Sequence, residues 1–291
     1  MKCRPCLAVV VAALALTFSA AAQTCSFQLF QINRYNTLPI HIDRYGNVVG
    51  WAYAAGDYGD TFGFIRYSAN GQIVRYSVPT STATMLFDRN SSGVMVGSFQ
   101  DNAGNWHGFV LYNGTVTQVD YPGAAGTSLN GINDNGVIVG DYWTASNHNY
   151  VGFELNAGAF TIIMHPGSYW TVPQEINNSG VITGGYGTDG PWNGFVLQNG
   201  TYTTLNDPLG IFGTYLSGIN SDGEIVGVYQ TYKVDEQGFF YKNGTFTNIN
   251  VPNAMFETAD GVNDSGLITG AASFSEASYG YGYHGYIATC H

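Results

Sequence analysis

Three ionisable side chains stand at equivalent places in a repeat. Five residues ahead of a recurring glycine the chain reads His41, Asp88, Gly131, Glu175, Gly218 and Gly261. An imidazole and two carboxylates gathered at one point can act as a general acid/base set or as a weak metal site. They can equally hydrogen-bond neighbouring repeats or hydrate a channel, because structural ion pairs use the same groups. His41, Asp88 and Glu175 are therefore the catalytic candidates if the protein is an enzyme. A second set is aromatic: Trp106, Tyr142, Trp143, Tyr169, Trp170, Trp192 and Tyr232 fall in or beside the irregular connections between predicted strands. Rings with an apolar body and a polar tip suit sugar faces and protein surfaces, and they also fill the space between packed sheets. Loop carboxylates at Asp101, Asp189, Asp235 and Glu236 are further acids that a polysaccharide hydrolase or lyase would draw on.

Other chemistry finds no support. There is no nucleophile elbow, no Cys–His pair, no HExxH, no phosphate-binding glycine loop and no zinc spacing. The turns Asn133–Gly136, Asn177–Gly180, Asn220–Gly223 and Asn263–Gly266 superficially match acidic calcium loops. Each offers at most one carboxylate, where calcium wants six or more oxygens. They read as hairpin turns in which the Asn bonds its own backbone. The N-x-Ser/Thr triplets at Asn90, Asn113, Asn177, Asn199, Asn243 and Asn263 read as turns too. No cofactor and no resident metal are expected.

The elements that must position these residues come from a repeat. Gly-x-x-x-Gly begins at Gly46, Gly93, Gly136, Gly180, Gly223 and Gly266, at spacings of 47, 43, 44, 43 and 43 residues. A period in this range signals a repeat architecture. Within the third repeat, the segments around Thr127–Ile132, Val137–Tyr142, Val151–Leu155 and Ala159–Ile163 are short β-branched or aromatic runs separated by turn residues. Third strands carry Gly-Phe or Gly-Tyr. Asn70-Gly71, Asn113-Gly114, Asn199-Gly200 and Asn243-Gly244 then predict type I′ hairpins into the fourth. No helical periodicity is present beyond residue 22. Four antiparallel strands repeated six times predict an all-β, six-bladed β-propeller spanning residues 23–291.

The two ends complete the arithmetic. The sixth repeat stops after its third strand, and Ser26–Ile32 alternates polar and apolar residues ahead of the first repeat. That spare strand is expected to complete the last blade and close the ring, which brings Cys25 beside Cys290 for a disulfide. The other two cysteines, Cys3 and Cys6, lie in residues 1–22, where a basic start, the apolar run Leu7–Leu16 and Ala20-Ala21-Ala22 read as a cleaved export signal. No membrane anchor is expected, and a monomer is. Charged residues make up 10% of the chain and the net charge is −11, which argues against nucleic acid as a partner.

The string Gly131–Tyr142, with His107-Gly-Phe109, Asn243–Phe246 and Tyr121–Ala124, resembles the repeat of the bacterial HAF family of extracellular repeat proteins. The resemblance runs from about Ile42 to the end. It implies a secreted bacterial protein and no particular reaction. The first two repeats depart most: Asp43 and Asn90-Ser-Ser replace the usual turn, and Arg89 stands where the others have Ile or Val. The expectation is a non-enzymatic secreted propeller that binds a glycan or protein through an aromatic loop face. The rivals are an extracellular polysaccharide hydrolase or lyase and a structural surface protein. Two carboxylates and the aromatics converging on one pocket would favour the enzyme.

Overall fold

The structure is a computed structural model that describes residues 25–54, 57–145, 149–232, 236–275 and 282–290. The predicted export signal, residues 1–22, and Asp235 lie outside them. Every element among the described residues is a β-strand.

The strands group into antiparallel modules of four. In the third module, Gly126–Ile132 pairs with Ile138–Trp143, which pairs with Val151–Asn156, which pairs with Ala159–Ile163. The first, second, fourth and fifth modules repeat this order. In the sixth, Leu267–Phe274 pairs with Gly282–Cys290, and the outer place is taken by Cys25–Phe30 from the other end of the chain. Cys25 stands opposite Cys290 in this register, and the two form a disulfide.

The turn residues fit their chemistry. Asn113, Asn199 and Asn243 have φ of 50°, each followed by a positive-φ glycine, as a two-residue type I′ hairpin requires. The expectation fails at Asn70. The connection there runs from Tyr67 to Gln72, only Gly71 is left-handed, and Asn70 instead accepts a hydrogen bond from the Gln72 amide through Oδ1. The two extra residues relieve the turn of its need for two consecutive positive φ values.

The second glycine of each Gly-x-x-x-Gly answers to close packing. A Cβ at Gly50, Gly97, Gly140, Gly184, Gly227 or Gly270 would lie 2.0–2.2 Å from a carbonyl oxygen of the module's first strand. The cause is a β-bulge. In the first module Pro39 faces Gly50 and His41 faces Val49, so Ile40 is an extra residue. Phe87, Asn130, Gln174 and Ser217 are extra in the same way. A bulge bends its strand and re-aims a side chain.

Modules pack on one another through the third-strand glycines. A Cβ at Gly63, Gly108, Gly194 or Gly152 would strike Leu86, Leu129, Leu216 or Pro173 of the next module, and one at Gly285 would strike Pro39 of the first. The adjacent Phe64, Phe109, Phe153, Phe195, Phe239 and Tyr286 are fully buried. A corner recurs as well. Thr37, Thr84, Thr127, Thr171 and Thr214 accept a backbone N–H from the end of the preceding outer strand at 2.9–3.0 Å, and Glu257 holds the sixth place. For Thr37 the donor is Ile32, just beyond Cys25–Phe30. The N-terminal strand thus obeys the same rule as the outer strands of the first four modules.

Candidate functional site

At the centre, where the first strands converge, the three ionisable residues meet. His41 Nδ1 lies 3.0 Å from Asp88 Oδ1 and 3.2 Å from Glu175 Oε2. Asp88 also accepts the backbone N–H groups of Arg89 at 2.5 Å and Ile132 at 2.6 Å, and Glu175 Oε1 accepts that of Ile176 at 3.2 Å. Burial opposes charge on His41, but the two carboxylates outweigh it and hold the imidazole well above its usual pKa. Burial and the Asp88 charge raise the Glu175 carboxyl. The remaining places are glycine for a steric reason: a Cβ at Gly131, Gly218 or Gly261 would lie 2.8–2.9 Å from the neighbouring first strand's backbone.

On one side of this trio opens a funnel of about 590 Å³. The bulge residues Ile40, Phe87, Asn130, Gln174 and Ser217, with Asp260 at the matching place in the sixth module, ring its wall. Trp106, Trp143, Tyr150, Trp192 and Tyr215 line it, as do the carboxyls of Asp141, Glu236 and Asp260. A smaller recess of about 380 Å³ adjoins it, walled by Tyr150, Trp170, Trp192 and Tyr215. Polar groups in the wall are fixed by one another. Asn130 Nδ2 donates to Asp141 Oδ1 at 2.8 Å and to the Pro173 carbonyl at 2.8 Å, and Gln174 Nε2 donates to the Tyr215 hydroxyl at 2.8 Å. Burial pushes the Asp141 carboxyl up to about 6 against the pull of Asn130, and the Asp260 carboxyl up to about 7 against that of Thr258.

The structure sorts the sequence-derived residues. Trp106, Trp143, Trp170 and Trp192 reach the funnel or its recess. Tyr142 does not: it stacks on Tyr121 with centroids 3.8 Å apart, on the opposite face of its strand from Trp143. Tyr169 is exposed and donates to Asp189 at 3.0 Å, and Tyr232 is 82% exposed and packs edge-on against Phe212. Neither lines the funnel. Of the loop acids, Glu236 lines it, whereas Asp101 accepts from the Asn105 side chain and backbone and approaches His107 at 3.4 Å. The trio and the aromatics do not share a pocket, because His41 lines the opposite mouth.

Sequence reasoning missed Asp141, Asp260 and Tyr150. Asp141 directly follows the second glycine of its repeat, where the others read Trp51, Ser98, Gly185, Val228 and Ala271. Reading that column alongside the one ahead of the trio would have exposed both acids.

The opposite mouth is bounded by the turns. Asn90, Asn133, Asn177, Asn220 and Asn263 each accept their own turn's backbone N–H groups through Oδ1. Each also donates through Nδ2 to a backbone carbonyl of the next module, at Asn133, Asn177, Asn220, Asn263 and Asp43, over 2.9–3.3 Å. Asp43 has no such donor to give. At that joint Arg89 reaches back instead and pairs with the buried Asp43 carboxylate. The two departures noted in the first repeats therefore compensate each other.

The fold is similar to that of TolB from Acinetobacter baumannii, with a TM-score of 0.61 at 10% identity over 84% of this chain and 64% of that one. The chain has a β-propeller-like fold. It is also similar to a variant of the Aleuria aurantia lectin in complex with Fucα1-6GlcNAc, with a TM-score of 0.53 at 11% identity over 87% and 95% of the two chains. A catalytically inactive variant of virginiamycin B lyase from Staphylococcus aureus with quinupristin gives 0.50 at 15% identity over 91% and 99%. No family model matches the chain, and no curated protein does. At these identities the likeness concerns the fold alone.

Proposed function

We propose that this chain is a secreted, six-bladed β-propeller of HAF type that binds a glycan through its aromatic funnel. Six four-stranded modules, the paired chain ends and the Asn263–Asp43 and Gly285–Pro39 contacts between last and first modules support the closed ring. The disulfide supports an oxidising compartment. The observation that carries the binding reading is the gathering of Trp106, Trp143, Tyr150, Trp192 and Tyr215 around one funnel that also offers the Asn130 and Gln174 amides. Aromatic faces take the apolar faces of sugar rings, and fixed amides take hydroxyls. The described lining holds three carboxyls and no Lys or Arg, which favours neutral over anionic glycans. Propellers host many unrelated functions, so this rests on the site and not on the neighbours.

The test is a glycan array followed by calorimetry on the hits. Trp192→Ala is expected to weaken binding by at least tenfold, and Tyr232→Ala to leave it unchanged. An array without hits, or equal binding by Trp192→Ala, overturns the reading.

One observation favours an enzyme as a second reading. Asp141 and Asp260 are carboxyls of raised pKa in an aromatic-lined funnel, as a general acid requires. Reducing-sugar or unsaturated-product release that Asp141→Asn or Asp260→Asn abolishes would establish it. Turnover lost on Asp88→Ala or Glu175→Ala with both of these intact would place the chemistry at the central trio instead.

A further inference from the structure

We infer that His41, Asp88 and Glu175 form a binding site for one divalent cation of the Zn²⁺ or Mn²⁺ class at the centre of the ring. One ligand atom from each residue lies within 4.8 Å of the other two. The Nδ1···Oδ1 and Nδ1···Oε2 separations are 3.0 and 3.2 Å. Two ligands bonded to a tetrahedral zinc at about 2.0–2.1 Å lie roughly 3.3 Å apart. Two edges of the ligand triangle are thus already near their bound length, and the third, from Asp88 to Glu175, is no longer than 4.8 Å.

The repeat supplies an independent reason. At Gly131, Gly218 and Gly261 the neighbouring backbone lies 2.8–2.9 Å from where a Cβ would stand. Three modules depart from glycine, each to a metal-ligating type, and the fold brings all three departures to one point. A purely packing role would have been met by alanine or serine. The backbone N–H groups of Ile132 and Ile176 hold the carboxylates in place through hydrogen bonds, as outer partners orient metal ligands.

The donor set decides the class of ion. One imidazole and two carboxylates suit Zn²⁺ or Mn²⁺, whereas Ca²⁺ asks for six to eight oxygens. Entry is from the turn-lined mouth, where a cavity of about 120 Å³ has His41 in its wall, with Asp43, Asp134 and Asp264 around it beside Arg44 and Arg89, the last paired with Asp43. Binding replaces the proton shared between imidazole and carboxylates by the cation. The site is separate from the funnel and does not depend on glycan binding there.

The experiment is calorimetry with elemental analysis on the chelator-treated, disulfide-intact protein, titrated separately with Zn²⁺, Mn²⁺ and Ca²⁺. One Zn²⁺ or Mn²⁺ per chain is expected. His41→Ala and Glu175→Gln are each expected to weaken it at least tenfold, with circular dichroism confirming the fold. The exposed cluster of His107 with Asp120 at 2.9 Å and Asp101 at 3.4 Å is the competing site, and His107→Ala is expected to leave the affinity unchanged. Co²⁺ bound to the native protein is expected to give a visible absorption band that His41→Ala removes, a readout available even if Glu175→Gln does not fold. No saturable binding, binding of Ca²⁺ alone, or binding lost with His107→Ala and retained in His41→Ala overturns the assignment.

Discussion

Asp141 carries a cost that its replacement would reveal. Its carboxyl is buried beside Asn130, without an ion-pair partner in the described contacts, and its pKa rises from 3.8 to about 6. The folded state therefore prefers the protonated form. The stability linked to this group is complete below pH 4 and is lost as pH rises through about 6. A shift of about two pK units at 1.36 kcal/mol each makes the loss ~3 kcal/mol at pH 8. Asp141→Asn keeps an oxygen for the Asn130 amide and never ionises. It is expected to match the wild type near pH 4 and exceed it at pH 8 by ~3 kcal/mol, or about 6–12 °C in melting temperature for a domain of this size. Differential scanning calorimetry of both proteins from pH 4 to 8 measures this. Superimposed melting curves at pH 8 would refute the claim that burial raises this group. A gain in stability together with lost ligand binding would show that the acid is kept for the funnel's work.

Other outcomes follow from the same contacts. Reducing the Cys25–Cys290 bond, which closes nearly the whole described chain, is expected to lower stability by ~5 kcal/mol in urea titrations with and without dithiothreitol. Arg89→Ala leaves the buried Asp43 carboxylate without its cation and is expected to cost ~3–5 kcal/mol by the same assay. Asp43→Asn in the Arg89→Ile background is expected to recover most of that loss, since an amide at position 43 can donate to the Asn90 carbonyl as the other turns do. Thr127→Val removes the acceptor for the Tyr121 amide and is expected to cost about 1–3 kcal/mol, read as a shift in the melting temperature.

Much of this architecture is legible in the sequence because turns and periods are local. The Asn-Gly hairpins at Asn113, Asn199 and Asn243, the recurring glycines and the spare N-terminal strand each follow from one residue's backbone needs or from counting. So does the meeting of Cys25 with Cys290. The funnel was legible only in part, because strand alternation is broken by a bulge in each first strand. After Pro39 the pairing jumps to His41, so no alternating pattern says where the Ile40 side chain goes. The same blindness held for Asn130 and Gln174. Tyr142 and Trp143 are neighbours of similar character, yet one stacks on Tyr121 and the other enters the funnel. Their separation depends on which strand face looks inward, a tertiary fact. The asparagine ring was half visible: the Oδ1 capping is local, whereas the Nδ2 bond goes to a residue some 43 positions away.

The exchange at Asp43 and Arg89 gives this series of modules a counting mark. An array of interchangeable repeats can gain or lose a copy by unequal recombination and meet no local resistance. Here a copy inserted between the first two modules would part an aspartate from its arginine and strand both. The first two modules therefore have to travel together, and loss of the fourth would take Glu175 from the trio.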